Sequence, residues 1–539
     1  MTRLQSDPTT MNLLNTNLLS VITYLPLVGM LLVLVTPANQ TRLIKWGSIA
    51  FSLIPLGLSI AAWAGYDRTV GGYQYLESMV WFPQINSVYK VGVDGISLPL
   101  VVLTCFLTPL AMIFSLNIEH NPKAYFALFF LLQTTVLGVF IALDLILFFL
   151  FYEVSLVPMY FLISQWGGAN RRYASFKFIL YTMFASLGML LAIQVIGLAS
   201  KSFDITYLES SLGRPFTGNN QVEFFGWDPT VWKAIAFIAF SIAFALKIPI
   251  WPLHTWLPDA HTEAPTGGSM MLAGILLKLG GYGFFRLVMP LFPDVFSQPV
   301  LPGLNVFGAP LNYSVLLALL AFLSILFGAF AAWGQTDFKR LVAYSSVNHM
   351  GFVALGIASA GLALTPNSTV REIDATIAGS GAVLQMVTHG LSSAAMFALV
   401  GVVYERAHTR DLTKYGGLWT IMPIYGAVLI FCAMGSLGLP GLSGFVSEFM
   451  VTRGAWSVHT LLTILSMAGL LMTGIYILKA IQKVLHGPLG EEWRHHPLPD
   501  MNFSEILGIA PLMGAMLVLG VWPALALNVI NVGVQGLLR

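Results

Sequence analysis

Ionisable side chains inside apolar segments are the residues of this sequence best suited to chemistry. Lys247 and Lys278 both lie in the segment 244–278, FALKIPIWPLHTWLPDAHTEAPTGGSMMLAGILLK. A lysine at the centre of a lipid bilayer costs about 3 kcal/mol on insertion scales. The prolines between the two lysines interrupt the helix, and interrupted backbone at membrane depth survives only against protein or a wet cavity. The segment therefore predicts an internal ion path.

A carboxylate in another apolar run could be the counter-charge of Lys247. Glu153 lies inside FFLFYEVSLVPMYFL. A nearby lysine favours the charged form of a buried carboxylate, and the carboxylate favours the charged lysine. Movement of Glu153 away from Lys247 would therefore release a proton from the lysine, and its return would load one. The alternatives are a structural hydrogen bond for Glu153 and a Lys247 side chain that reaches the membrane surface.

Three later titratable residues could continue the path. His349 and His389 lie in apolar runs, and Glu448 follows a glycine-rich break in LPGLSGFVSEFMV. Histidine titrates near neutral pH, so two histidines with Lys278 predict a proton relay. Glu448 would be its exit or re-entry acid. Each histidine could instead be a structural hydrogen-bonding group, and Glu448 a structural acid near a helix start.

Four polar residues between the prolines allow two interpretations, as metal ligands or as a proton-uptake funnel; they are His254, Asp259, His261 and Glu263. Metal ligands need a fixed geometry, and the intervening prolines prevent them from sharing one helix face. The funnel is therefore the favoured interpretation.

Composition indicates a membrane protein. Of 539 residues, 57% are hydrophobic and 9% are charged, and the mean hydropathy is +0.79. Soluble domains have about 25% charged residues. The net charge of +2 gives no reason to expect a nucleic-acid partner. Cys105 and Cys432 lie in apolar runs and provide neither a cysteine cluster nor an expected disulfide. We expect no bound nucleotide, redox centre or metal in this chain.

The hydrophobic pattern predicts an all-α polytopic fold with about fourteen transmembrane helices. The predicted spans are 18–36, 46–65, 95–117, 124–142, 145–165, 174–199, 231–259, 266–288, 312–333, 341–362, 376–405, 420–454, 459–482 and 503–526. The spans 231–259 and 420–454 are expected to be broken and 376–405 to be bent. Asp94 and Asp144 are expected to be the N-caps of the third and fifth spans.

The spans divide into N-terminal helices (1–123), two five-helix repeats (124–290 and 311–485) and a C-terminal span (486–539). The fourth helix of each repeat is broken, at 247–258 and 435–441. Because five is odd, the two repeats must be inverted, which is the arrangement of secondary transporters.

Lys and Arg concentrate in alternate loops, which places both termini on the non-cytoplasmic side. The polar start 1–17 differs from a cleavable signal peptide, so we expect the first span to be retained.

Three motifs resemble one family. KIPIWPLHTWLPDAHTEAPTGGSMMLAGILLKLGGYG, KRLVAYSSVNHMGF and LPGLSGFVSEF are similar to the antiporter-like proton-pumping subunits of respiratory complex I and its photosynthetic relative. The resemblance runs from about Val91 to about Leu485. It implies a fourteen-helix fold with inverted repeats and a coupling ion pair of Glu153 and Lys247. It also implies that Lys278 and His349 are central relay residues and that residue 448 ends the relay.

Within this family the sequence resembles the chain 4 branch. Most members have lysine where this chain has Glu448, and the sequence ends too soon after the last span for the lateral helix of the largest member. SQWGGANRRYASFKFILYT and VGVDGISLPLVVLT are most similar to cyanobacterial and chloroplast chain 4 proteins. This resemblance implies NAD(P)H, plastoquinone, photosynthetic electron transport and a thylakoid membrane, with a bacterial inner membrane as the other possibility.

The predicted function is therefore proton translocation by a membrane-arm subunit of an NAD(P)H– or ferredoxin–quinone oxidoreductase. Its partners would be other membrane-arm subunits, membrane lipids and a peripheral redox arm that holds the iron–sulfur clusters. The quinone would react elsewhere in the complex. A subunit of a sodium/proton antiporter is the alternative, and a transport-inactive membrane scaffold is a third possibility.

Overall fold

The computed structural model describes residues 17–212, 229–301, 303–306, 309–365 and 368–538. Within these ranges, eleven helices are long and apolar enough to cross a membrane, and three shorter apolar helices accompany them. The prediction of an all-α polytopic membrane protein is confirmed, while the number fourteen stays a prediction. The polar start, except Asn17, lies outside the described residues.

Helices make up nearly all of the architecture. The first half contains α1 (Leu18–Val35), α2 (Thr41–Gly65), α3 (Ser97–Ile113), α4 (Pro122–Ile141), α5 (Leu145–Val154), α6 (Leu156–Trp166), α7 (Arg171–Ser200), α8 (Ile205–Leu212), α9 (Pro229–Lys247), α10 (Trp256–Glu263), α11 (Thr266–Met271), α12 (Lys278–Gly283) and α13 (Met289–Leu291). The second half contains α14 (Tyr313–Trp333), α15 (Phe338–Ala363), α16 (Glu372–Ala407), α17 (Pro423–Leu437), α18 (Ser443–Ala455), α19 (Thr460–Leu485), α20 (Glu491–His495), α21 (Phe503–Val521) and α22 (Ala524–Leu538).

A β-hairpin between α2 and α3 was not predicted. Strands β1 (Gln74–Phe82) and β2 (Ser87–Val93) pair antiparallel. Their valines and aromatic residues favour strands, but a search for spans of membrane length passes over segments this short. A second, two-residue pair joins β3 (Asn305–Val306) and β4 (Ala309–Pro310).

One predicted N-cap, Asp144, is confirmed, whereas the N-cap of α3 is Ile96 and Asp94 lies two residues before it. The Asp94 carboxylate accepts hydrogen bonds from the backbone N–H groups of Ile96 and Ser97 at 3.0 and 2.9 Å. Asp144 accepts from Ile146 and Leu147 at 2.9 and 3.2 Å. Each carboxylate satisfies N–H groups that have no partner within the first turn of their helix.

The helix breaks occur where they were predicted. Helix α9 ends at Lys247 and α10 begins at Trp256, whose indole N–H donates to the carbonyl of Leu246 at 3.0 Å. The N–H of Trp251 donates to the Ser324 hydroxyl at 2.7 Å. In the second half, α17 ends at Leu437 and is capped by Gly438, which adopts φ +85°, a conformation that glycine reaches without strain. Protein groups therefore satisfy backbone that lipid could not.

The span that contains His389 was expected to be bent; α16 is an unbroken helix of 36 residues, and the bend stays a prediction. One other span differs from its prediction. The last predicted span ended at 526, whereas α21 ends at Val521 and a further helix, α22, begins at Ala524. Pro523 disfavours helical backbone at the residue before it, which separates the two helices.

Candidate functional site

Lys278 is fully buried between two widened helical turns. π-Helical turns at Leu272–Leu276 and Phe284–Val288 flank α12. In the first turn, Leu277 N–H donates to Leu272 rather than to Ala273, which frees the Ala273 carbonyl. The Lys278 ammonium donates to that carbonyl at 2.5 Å. The unpredicted π-turn thus supplies a polar partner inside an apolar helix.

His389 is the second partner of Lys278. Its Nδ1 lies 2.8 Å from Lys278 Nζ, so α12 and α16 present the two groups to each other. A charged ammonium can only donate, so Nδ1 must then accept and the ring proton must sit on Nε2. Nε2 has no hydrogen-bond partner among the described residues. The expected association of His389 with the path therefore agrees with its position beside Lys278.

His349 and Glu448 form the next pair. His349 Nδ1 lies 2.8 Å from Glu448 Oε1, and both residues are buried. The other ring nitrogen, Nε2, lies 3.3 Å from the Ser436 hydroxyl and 3.3 Å from the Tyr476 hydroxyl. The ring centroids of His349 and His389 are 5.6 Å apart. Four of the six predicted site residues therefore follow one another in the interior, in the order Lys278, His389, His349 and Glu448.

Lys247 lies at the break and is unpaired. It is 1% exposed, and its Nζ has no hydrogen-bond partner in the described part of the chain. The ammonium lies 5.1 Å from the centroid of the Tyr152 ring, within range of a cation–π interaction. It is also the last residue of α9, where the helix dipole favours a positive charge. Helix α12 packs closely against α9 next to Lys278. A Cβ atom added at Gly280 of α12 would lie only 2.6 Å from the carbonyl oxygen of Phe244 in α9.

The expected direct ion pair between Glu153 and Lys247 is not formed. Successive residues of a helix point about 100° apart, and Tyr152 is the one that faces Lys247. Glu153 faces Ser186 of α7 instead, and its Oε1 has no hydrogen-bond partner among the described residues. The two charges still interact electrostatically. Lys247 and Glu153 are therefore separated in this structure, with the Tyr152 ring beside the lysine.

The polar residues of the proposed funnel lie in α10 or just before it. Asp259 forms ion pairs of 2.7 Å with both Lys177 and Arg340. Glu263 accepts from the backbone N–H of Asn170 at 2.9 Å and lines a cavity of about 170 Å³.

His261 is fully buried and stacks on Phe397, with ring centroids 4.6 Å apart. Both of its ring nitrogens lack partners within the described ranges. Since Lys278 and Lys339 are both close enough to act on it electrostatically, it lies between the cavity and the buried pairs. No group of three or more possible metal ligands occurs in the described ranges.

The sequence did not reveal several participants. Gln385, Ser447 and Tyr476 surround the His349–Glu448 pair, but uncharged residues in an apolar helix are too common to be recognised. Three cations near the ends of predicted spans are buried; they are Lys233, Arg286 and Lys339. Each lies near a helix end, where sequence cannot distinguish a loop from a packed terminus. Cys105 and Cys432 are both free and buried.

Comparison with known proteins covers almost the whole chain. The family model "NADH:quinone oxidoreductase/Mrp antiporter, TM" matches residues 142–475, and "NADH-ubiquinone oxidoreductase chain 4, amino terminus" matches residues 72–143. The chain belongs to this family of membrane proteins. The prediction of the chain 4 branch is confirmed.

Two curated relatives and one solved structure support the assignment. "NADH-quinone oxidoreductase subunit M" of Rhodobacter capsulatus is 38% identical, over 97% of this chain and 96% of the relative. "NAD(P)H-quinone oxidoreductase chain 4 1" of Nostoc sp. (strain PCC 7120) is 40% identical, over 96% and 90%. A chain of "Respiratory complex I from Thermus thermophilus with bound NADH" superposes with a TM-score of 0.80 at 27% identity, over 97% of this chain and all of that one.

Proposed function

We propose that this chain translocates protons as a membrane-arm subunit of an NAD(P)H– or ferredoxin–quinone oxidoreductase. The observation that carries the proposal is the buried succession of titratable groups from Lys278 to Glu448, joined by contacts of 2.8 Å within each pair. Titratable side chains inside a membrane protein are costly and mark ion pathways. The family and the two curated relatives supply the quinone oxidoreductase context.

Protons enter at the cavity that Glu263 lines and pass inward by way of the buried His261. They reach Lys247 or Lys278, which can each hold a proton when a counter-charge approaches and release it when the counter-charge leaves. Glu153 is that counter-charge for Lys247. In the proposed cycle, Lys247 gives up its proton when Glu153 is separated from it.

The proton then moves inward along the buried pairs. Lys278 donates to Nδ1 of His389, which can release the proton on its Nε2 toward His349. His349 passes a proton to Glu448 across their hydrogen bond. Glu448 ends the relay and releases the proton toward the far side.

Electron transfer takes place in partner subunits. A cysteine-ligated iron–sulfur cluster needs about four cysteines, and this chain has two, both in apolar helices. The peripheral redox arm would hold the iron–sulfur clusters, and the quinone would react outside this chain. Quinone reduction would act on Glu153 and Lys247 through a rearrangement of charge along the membrane arm.

The finer setting rests on the resemblance of SQWGGANRRYASFKFILYT and VGVDGISLPLVVLT to cyanobacterial and chloroplast chain 4 proteins, which favours plastoquinone, photosynthetic electron transport and a thylakoid membrane. A bacterial inner membrane is the alternative. The Nostoc relative is named as an NAD(P)H-quinone oxidoreductase chain and the Rhodobacter relative as an NADH-quinone oxidoreductase subunit. The distribution of Lys and Arg supports termini on the non-cytoplasmic side.

A sodium/proton antiporter subunit is the weaker alternative. The family model includes Mrp antiporters, but both curated relatives are named as quinone oxidoreductase subunits. Glu448, where antiporter members have lysine, also speaks against it.

The test combines assembly with transport. The complex that contains this chain is isolated in mild detergent, examined on a native gel and reconstituted into vesicles. We expect iron–sulfur subunits to co-migrate with the chain, and quinone reduction to acidify one side of the vesicle membrane. Lys247→Ala should leave the assembled complex without proton transfer through this chain. Sodium-dependent transport without an associated redox arm would contradict the proposal and support the antiporter.

A further inference from the structure

Gln385 is in contact with the last acid of the proposed relay. It lies on α16 one turn before His389 and is 2% exposed. Its amide nitrogen donates to Glu448 Oε1 at 3.1 Å. Its amide oxygen accepts from the Ser447 hydroxyl and, at 3.3 Å, from the Thr388 hydroxyl. A neutral side chain thus connects the buried acid to a pair of hydroxyls 2.8 Å apart.

The orientation of this amide depends on the charge of Glu448. An ionised carboxylate can only accept hydrogen bonds, so the NH₂ group of Gln385 must face it and the amide oxygen must face the hydroxyls. A protonated Glu448 can donate. The amide can then turn over, because the hydroxyls of Ser447 and Thr388 can accept as well as donate.

Gln385 and His349 share one oxygen of Glu448. His349 Nδ1 lies 2.8 Å from the same Oε1 that accepts from Gln385. An imidazole can deliver and remove a proton near neutral pH, whereas a neutral amide cannot. Gln385 therefore stabilises the charged carboxylate without offering the proton a second route, and it stands between Glu448 and the Ser447–Thr388 pair.

The titratable surroundings of Glu448 come from four helices. Helix α15 contributes His349 and α19 contributes Tyr476, which interacts electrostatically with Glu448. Helix α16 contributes His389, 5.6 Å from the His349 ring, and behind it lies Lys278 of α12. Among the described groups around the carboxylate, Gln385 is the hydrogen-bond donor that cannot itself titrate.

We propose that Gln385 is a positioning residue for proton transfer at Glu448, which stabilises the ionised carboxylate and directs its protonation to His349. This inference rests on the proposed function, because it assigns Gln385 a part in the same relay. Its effect is exerted through Glu448.

Gln385→Met in the complete complex tests the inference, since methionine has a similar length and no donor. Loss of a hydrogen bond to a charged group should move the pH profile of proton pumping to higher pH by about one unit. Gln385→Glu places a second carboxyl beside Glu448, so the two should share a proton and give a pH profile with two steps.

Gln133→Met is the matched control. Gln133 is fully buried in α4, and neither of its amide atoms has a partner among the described residues, so its replacement should leave the pH profile in place. All variants are compared at equal amounts of assembled complex on a native gel.

A uniform loss of rate without a change of pH profile in Gln385→Met and Gln385→Glu would overturn the inference, since a merely structural role predicts that result. Glu448→Gln tests the relay separately from the role of Gln385. Normal pumping by Glu448→Gln would refute the relay itself. Impaired pumping by Glu448→Gln, with Gln385→Met behaving like Gln133→Met, would refute only the role of Gln385.

Discussion

Replacement of Lys247 by arginine is the most discriminating perturbation of the proposed switch. The substitution keeps the positive charge at the end of α9, where the Tyr152 ring lies 5.1 Å away and can interact with a guanidinium as well as with an ammonium. The difference lies in proton release. Ordinary pKa values of arginine exceed those of lysine by about 2–3 units, so the deprotonated form becomes about 100- to 1,000-fold rarer.

Proton transfer through residue 247 should slow by the same factor if the lysine must lose its proton in each cycle. The assay is proton uptake by vesicles that contain the reconstituted complex, measured together with the rate of quinone reduction. Lys483→Arg is the control, since Lys483 lies in the last turn of α19 but is exposed. It should pump normally.

The result that would refute the reasoning is an assembled Lys247→Arg complex with normal pumping. Lys247 would then act only as a fixed charge, and the proton would have to pass it by another route. A complex that fails to assemble would be recognised on the native gel, and Lys247→Ala, which removes bulk rather than adding it, would then be the variant to measure.

Three further predictions concern other parts of the chain. Glu448→Gln keeps the shape of the side chain but removes its charge, so we expect proton pumping to be lost while the native gel shows normal assembly. Burial raises the pKa of Asp204, but the hydrogen bond and charge of Lys90 together with the hydrogen bonds from Thr206 and Tyr207 outweigh burial and hold the pKa below its ordinary value. The stabilisation is therefore present above about pH 4 and lost as the pH falls below it, so thermal unfolding in detergent should lose this acid-sensitive component in Asp204→Asn. Glu505→Ala removes both the capping box of α21 and two hydrogen bonds of 2.8 Å to Arg406, and it should lower the free energy of unfolding by about 2 kcal/mol, measured by thermal unfolding.

Local signals in the sequence identified much of the fold. The helix breaks at 247–258 and 435–441 follow from prolines and glycines, and the N-cap Asp144 follows from its position before an apolar run. The β-hairpin and α22 were missed for opposite reasons. The strands are too short for a search tuned to membrane spans, and α22 was merged with the span before it. The inverted relation of the two repeats remains a prediction.

The candidate site, like the fold, was predicted only in part from the sequence. All six predicted site residues are titratable groups in apolar runs, and the cost of burying them makes them conspicuous in a sequence. Their partners are not conspicuous. The Ala273 carbonyl is freed by a π-turn, and Gln385, Ser447 and Tyr476 are ordinary residues of apolar helices.

The sequence by itself identified which titratable groups of this protein lie in apolar helices, because a charge in an apolar helix stands out without knowledge of its neighbours. Only the tertiary structure decided which of them meet. It joined Lys278 to His389 and His349 to Glu448, and it placed Tyr152 rather than Glu153 beside Lys247. The physical reason is that a contact between helices depends on the direction in which each side chain leaves its helix. Neighbouring residues of a helix point about 100° apart, so a small change in helix orientation exchanges one partner for another. A helix that is buried on all sides has no distinct apolar face, so its sequence does not specify which residue faces which neighbour.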